Sequence, residues 1–142
     1  MAVYTHANAQ APVARTNLSA GQQVTGHARY TLGPTLAAGD VIRLFRVPAG
    51  ARIKNVLLYA QKIDTGGTPA VTLNVGDSTS ATRFFSASNV GQAGGAAELA
   101  VGAAPKGQEY LAEDTVIATV VAAPATQAGG TYFEVYLDYY LS

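Results

Sequence analysis

Between residues 70 and 75 the chain alternates, with Val71, Leu73 and Val75 on one side of an extended strand and Thr72 and Asn74 on the other. The same two-residue period runs longest at the C-terminus. There Phe133, Val135, Leu137, Tyr139 and Leu141 form one face, and Tyr132, Glu134, Tyr136, Asp138 and Tyr140 the other. Shorter apolar runs at 28–32, 40–47, 52–61, 82–86, 98–101 and 115–121 are divided by turn residues, and 109–111 is a further, weaker candidate. Gly33-Pro34, Pro48-Ala49-Gly50, Asp64-Thr65-Gly66-Gly67 and Gly76-Asp77-Ser78 supply the fixed φ of proline or the permissive φ of glycine that tight turns need. The pattern predicts an all-β chain of about eight strands, folded as a two-sheet antiparallel β-sandwich. Several connections are too long for a hairpin meander, which favours a jelly-roll-like order. A seven-stranded immunoglobulin-like sandwich is the alternative, although the chain has no Cys or Trp to support an antibody-type domain.

Residues 1–25 read differently, as an extended N-terminal arm preceding a sandwich domain at 26–142. Ala7-Asn8-Ala9-Gln10-Ala11-Pro12 and Ser19-Ala20-Gly21-Gln22-Gln23 are small and polar. They have little apolar surface to offset an ordering entropy of about 1–2 kcal/mol per residue. Such a stretch is either a disordered tail or an arm that orders along a neighbouring subunit.

Two strands lack a clean polar side. In 40–47, Val41, Phe45 and Val47 oppose Ile42 and Leu44; in 52–61, Ile53, Leu57 and Tyr59 oppose Val56, Leu58 and Ala60. Antiparallel sheets normally wet one face, so apolar residues on both sides predict extra cover, and self-association is an economical source.

Composition sharpens that expectation. A chain of 142 residues suits one domain and can bury a core without staples. With no cysteine, disulfides and thiolate metal sites are excluded. Alanine favours helix, but it clusters at 93–97 and 122–125, where Gly and Pro interrupt any helix. Charged residues are 13%, against about 25% in ordinary soluble domains, and nine basic side chains cancel nine acidic ones. So weakly charged a surface suits being covered. No basic patch is present to neutralise phosphates, so no nucleic-acid partner is expected. No run of eighteen apolar residues predicts a membrane span, and Met1 to Gln10 lacks the pattern of a secretory signal.

Candidate chemistry is sparse. His6 lies in the arm and His27 just before the first expected strand, neither beside another candidate group. Glu113 and Asp114 are adjacent and would point to opposite sides of a strand. Asp64 and Asp77 could offer an oxygen to calcium, but neither has carboxylates nearby in sequence. Gly91-Gln92-Ala93-Gly94-Gly95 precedes no P-loop lysine. The expectation is a protein that is not an enzyme, with no catalytic residue, no cofactor and no metal. The candidate surface is the stripe Tyr132, Glu134, Tyr136, Asp138 and Tyr140, because tyrosine brings large contact area and a hydroxyl for a rim. Arg43, Arg46 and Arg52 either pair with that acidic stripe across an interface or mark exposed strand ends. A sugar-stacking platform is the alternative use of the tyrosines.

The stretch Gly39-Asp40-Val41-Ile42-Arg43-Leu44-Phe45-Arg46-Val47-Pro48-Ala49-Gly50-Ala51-Arg52-Ile53, with Val71-Thr72-Leu73-Asn74-Val75-Gly76-Asp77 and Thr82-Arg83-Phe84-Phe85, resembles small tailed-bacteriophage virion proteins. Within that group it is most similar to jelly-roll capsid decoration, or cement, proteins, over residues 26–88 with the tyrosine-rich last strand in keeping. The resemblance implies a homotrimer on the capsid exterior, made in the bacterial host cytoplasm, that binds the major capsid protein and braces the shell. It implies no cofactor and no catalytic residue, and it gives the arm a role in capsid contact or exchange within the trimer. The alternative is a carbohydrate-binding domain of a phage fibre or other receptor-binding component.

Overall fold

The computed structural model describes residues 1–10 and 23–141. Its strands are β1 (Val3–Thr5), β2 (Gln23–Thr31), β3 (Val41–Val47), β4 (Ala51–Ala60), β5 (Thr72–Gly76), β6 (Phe85–Ser88), β7 (Gly95–Glu98), β8 (Asp114–Ala122) and β9 (Tyr132–Leu141). Two single helical turns, α1 (Ala7–Gln10) and α2 (Val90–Ala93), complete the described elements. One sheet has five strands in the order β1-β3-β8-β5-β6, and the other has four in the order β2-β9-β4-β7.

The antiparallel pairing is nested: β2 with β9, β3 with β8, β4 with β7 and β5 with β6. A long hairpin whose arms pair along their length, then roll so that successive pairs fall in alternate sheets, gives this order. It is the jelly-roll arrangement of the expected sandwich, with β1 added at one edge.

The two-faced appearance of 40–47 and 52–61 has a local cause. β3 carries a register shift between Arg43 and Phe45, and β4 one between Ile53 and Asn55. An extra residue in a strand reverses the parity of everything after it. Ile42 and Leu44 therefore face the core before the β3 bulge, and Phe45 and Val47 after it. In β4, Ala51 and Ile53 are followed inward by Val56, Leu58 and Ala60. Ile53 thus joins Val56 and Leu58, where strict alternation had set them on opposite sides. Only Val41, Leu57 and Tyr59 remain on outer faces, so far less extra cover is needed than the sequence pattern implied.

Other boundaries move for tertiary reasons. β2 begins at Gln23, inside the expected arm, because β9 offers it a partner at every position from Gln23↔Tyr140 to Thr31↔Tyr132. β1 was not expected; it runs parallel to β3, with Val3↔Val41 and Thr5↔Arg43 in register. Ahead of it the Ala2 N–H donates to the Asp40 carboxylate at 2.9 Å. The first residues of the expected arm thus extend the chain's own sheet, and its middle part, 11–22, lies outside the described residues. The candidate at 98–101 forms as β7 at Gly95–Glu98, that at 82–86 forms as β6, and 109–111 keeps only a bridge between Arg52 and Glu109.

Inner-face residues of both sheets make one apolar core, with Phe133, Leu137, Leu58, Ile42, Leu44 and Leu73 among its fully buried large side chains. Close packing also explains Gly26. A Cβ there would lie 2.6 Å from the Phe45 ring, and Phe45 is itself buried. The turn between β3 and β4 uses Gly50 at φ +86°, a conformation other residues rarely adopt.

Two buried aspartates tie the sandwich ends together. Asp64 is fully buried and accepts backbone N–H bonds from Gly66, Ala70, Val71, Ala125 and Thr126 at 2.7–3.2 Å. It thereby joins the 64–71 connection to the loop between β8 and β9. Asp77 accepts from the backbone of Thr79 and Ser80, from Arg83 Nε and from the Tyr110 hydroxyl at 2.9 Å.

Replacing Asp64 with Asn leaves one acceptor oxygen for five donors and turns an amide N–H₂ toward N–H groups. Asp64→Asn is expected to destabilise the fold by about 2–4 kcal/mol in urea titration. Gly26→Ala is expected to cost about 1–3 kcal/mol through overpacking against Phe45. A loss within error of zero for either variant contradicts its assigned role.

Candidate functional site

The alternation of β9 puts Tyr132, Glu134, Tyr136, Asp138 and Tyr140 on the outer face of the four-stranded sheet, as its spacing predicts. The pairing of β9 with β2 on one side and β4 on the other sets their neighbours. Across that face Arg29, Glu134 and Tyr59 lie in one row, His27, Tyr136 and Leu57 in the next, and Thr25, Asp138 and Asn55 in the third.

Glu134 does not stand in solvent; it is 3% exposed. Arg29 Nε and the Tyr136 hydroxyl donate to its carboxylate, and His27 Nε2 lies 3.5 Å away, within ion-pair range but without a hydrogen bond. Burial works to raise the Glu134 pKa, but the bonds from Tyr136 and Arg29 and the nearby positive charge outweigh it and hold the carboxyl below its ordinary value. The same hydrogen bond, with burial, pushes the Tyr136 hydroxyl up.

Aromatic contacts brace the face further. The Arg29 guanidinium sits 3.9 Å from the centroid of Tyr132, His27 stacks on Tyr136 at 4.3 Å, and Lys54 lies 5.8 Å over Tyr140. Tyr59 and Tyr132 approach at 6.3 Å in a tilted pair. The stripe is therefore a set of side chains held by their own neighbours.

Arg43 and Arg46 do not reach it. Both belong to β3 in the opposite sheet and point to its outer side. Arg46 donates to the Ala9 carbonyl at 3.0 Å and contacts Glu113 at 3.4 Å. Arg43 has no side-chain partner among the described residues. Within one chain the cations at the stripe are Arg29 and Lys54, while Arg52, in register with Tyr140, is held by the Gly107 carbonyl and Glu109. Neither Arg29 nor His27 was a candidate from sequence, yet both sit on one parity of β2 with Thr25 and Thr31. That signal becomes legible only once β2 is known to pair with β9.

A cleft of about 370 Å³ opens at one end of the sandwich, lined by Ser78, Arg83, Tyr110, Leu111, Glu113 and Asp114 among others. Its ionisable groups are already engaged: Arg83 and Tyr110 hold Asp77, Glu113 faces Arg46, and Asp114 accepts from the Ser78 and Thr115 N–H groups. Leu111 at its rim is 88% exposed, and Val101 on another loop 99%. Asp64 and Asp77 are surrounded by hydrogen-bond donors, an environment that stabilises the anion and offers no further oxygen to a cation. Among the described residues no group of three or more acids and histidines could hold a metal, and no helix is long and apolar enough to cross a membrane.

These carboxylates set the acid response. Burial alone would raise Asp64, but the N–H groups of Ala70, Ala125, Thr126 and Gly66 hold it well below the aspartate range. Asp77 is lowered by Ser80, Arg83 and Tyr110 against the cost of its burial, and Asp40 by the Ala37 and Ala2 N–H groups. The unfolded chain therefore binds more protons than the folded one in acid. Stability is expected to be full above about pH 5 and to fall steadily below about pH 4, as each carboxyl is protonated toward its folded-state value. Urea midpoints measured from neutral pH downward check this, and a midpoint that rises or stays flat below that pH contradicts it.

No protein-family model and no curated protein matches the chain. Solved structures do. A chain in "Capsid of Ralstonia phage GP4" superposes with a TM-score of 0.83 and 29% identity, covering 99% of each chain. A chain in "Cyanophage Pam1 capsid asymmetric unit" gives 0.75 and 32%, covering 94% of this chain and 95% of that one. A chain in the acid-stable capsid of Helicobacter pylori bacteriophage KHP30 gives 0.62 over 87% and 90%, and at 18% identity it shows the shared fold alone. With almost a third of positions identical to the cyanophage chain over nearly the full length of both, the chain belongs to the same family of bacteriophage virion structural proteins as that chain.

Proposed function

We propose that the protein is a capsid decoration, or cement, protein that sits as a homotrimer on the outside of a phage shell and braces adjoining copies of the major capsid protein. The observation that carries this is the likeness of almost the whole chain, both sheets included, to chains inside capsid structures. A shell-bracing role also suits a chain with 13% charged residues and no net charge, whose loops present Val101 and Leu111 almost fully to solvent. Exposed apolar tips on a rigid sandwich are what docking into a neighbour's depression requires.

The fibre-type, sugar-binding reading is less well supported. Stacking on a pyranose needs an open ring face, and Arg29 takes one face of Tyr132 and His27 one face of Tyr136, which leaves each ring at most one. Those tyrosines work instead as braces for a stiff sheet.

Purified protein added to phage shells that lack it should bind saturably and raise the temperature at which the shells rupture. No binding to such shells, together with saturable glycan binding that Tyr140→Ala abolishes, would replace the decoration role with the receptor-binding one.

A further inference from the structure

On the outer face of the four-stranded sheet, Thr25, Asn55, Leu57, Glu98, Tyr136 and Asp138 surround one depression of about 340 Å³. Two of its walls are carboxylates, and neither is in an ion pair among the described residues. Asp138 accepts from Thr25 Oγ1 at 2.7 Å, and Glu98 from Asn55 Nδ2 at 2.7 Å. A carboxylate only accepts, so the second bond fixes which way the Asn55 amide points. Its Oδ1 is then left shielded from water with no hydrogen bond. Lys54, on the same strand, is occupied by Gln23 Oε1 at 2.7 Å. Two anionic groups with acceptor capacity to spare, flanked by Leu57 and Tyr136, complement a flat cation with several donors on a hydrocarbon stem. That description fits a guanidinium better than an ammonium or a metal ion.

The opposite face of the same molecule presents such a group. Arg43 is exposed and unpaired among the described residues. It stands between Thr5 and Ile117 in register, with Val41 and Thr119 in the next row. These four neighbours are uncharged and β-branched, suited to lying against the Leu57 side of the other sheet, and the Arg46–Glu113 pair and Asp114 border them.

We infer that the outer face of the five-stranded sheet of one copy docks on the outer face of the four-stranded sheet of a second copy, with Arg43 entering the depression between Asp138 and Glu98. The contact rests on the assembly proposed above and joins a copy in one trimer to a copy in the next. It is heterologous, and the two faces lie on opposite sides of one sandwich. Repetition therefore carries the contact from copy to copy instead of closing it on a pair. Such a link joins neighbouring assemblies side by side over a shell.

Self-association measured by sedimentation at high micromolar concentration tests this. Arg43→Glu and Asp138→Arg should each weaken it at least about thirtyfold, and the two combined should restore much of it. Raised salt should weaken the wild type in parallel. Far-ultraviolet circular dichroism and urea midpoints establish that each variant folds; if Asp138→Arg does not, Glu98→Gln takes its place, with a smaller loss expected. A wild type that forms nothing larger than a trimer, or single variants that associate as the wild type does, overturns the assignment. Shell binding read on the same samples separates the two proposals. Shells that bind wild type and Arg43→Glu alike, with unaltered self-association, remove this contact and leave the decoration role. Charge-dependent self-association without shell binding does the reverse.

Discussion

β9 lies between β2 and β4, paired antiparallel with both along almost its whole length, and the other elements take their places from that fact. Its inward residues Phe133, Val135 and Leu137 are fully buried in the core, so the strand cannot shift by one residue without turning them to solvent and Glu134 inward. Fixing β9 fixes β2, which is too poor in apolar residues to hold a strand position alone. It also fixes β4, whose bulge must lie opposite the Tyr139–Asp138 region for Val56 and Leu58 to reach the core. The nested pairing of the remaining strands follows as the chain returns on itself.

Around that centre, polar groups do work that apolar packing cannot. Connections in a jelly roll cross the ends of the sandwich, where backbone N–H groups lose their strand partners. Asp64 answers five of them with one side chain, and Asp77 anchors the 77–83 turn to Tyr110 across 33 residues of sequence. Both are buried anions matched by donors, an arrangement that is costly to leave half made and therefore specifies one loop geometry. The bulges act similarly on the strands. Each reverses side-chain parity once, which lets a strand with apolar residues on both parities bury nearly all of them.

On the outer face of the four-stranded sheet, charge and aromatic contact hold side chains that would otherwise be free to rotate. The Arg29–Glu134–Tyr136 bonds and the stacked His27 reduce the entropy that any partner would have to remove on docking. A pre-ordered face of this kind favours repeated, register-true contact in a lattice. The described loops add exposed apolar tips around it. Rigidity at the sheet face and greasy points at the loops suit a protein whose relatives stand in capsids.

Strand existence and the sandwich class were legible in the sequence, because side-chain parity and turn residues are local signals. The two faces of β9, the Pro48–Gly50 turn and the strand at Thr72–Gly76 could all be read directly. What local pattern cannot carry is which strand lies beside which. The bulges in β3 and β4 looked like a need for outside cover, since a parity change and a two-sided apolar strand are written with the same residues. β1 and the early start of β2 fall in a stretch with little hydrophobic content, and they are strands because β3 and β9 offer edges to pair with. Arg29 and His27 acquire a role only through register against Glu134 and Tyr136, more than a hundred residues away in the case of the Arg29–Glu134 bond. The chain by itself therefore determined the kind of surface this protein would have: weakly charged, β-built and rich in tyrosine. Only the tertiary structure decided which charges meet on that surface and which are left waiting, because those pairings depend on distances that no sequence interval encodes.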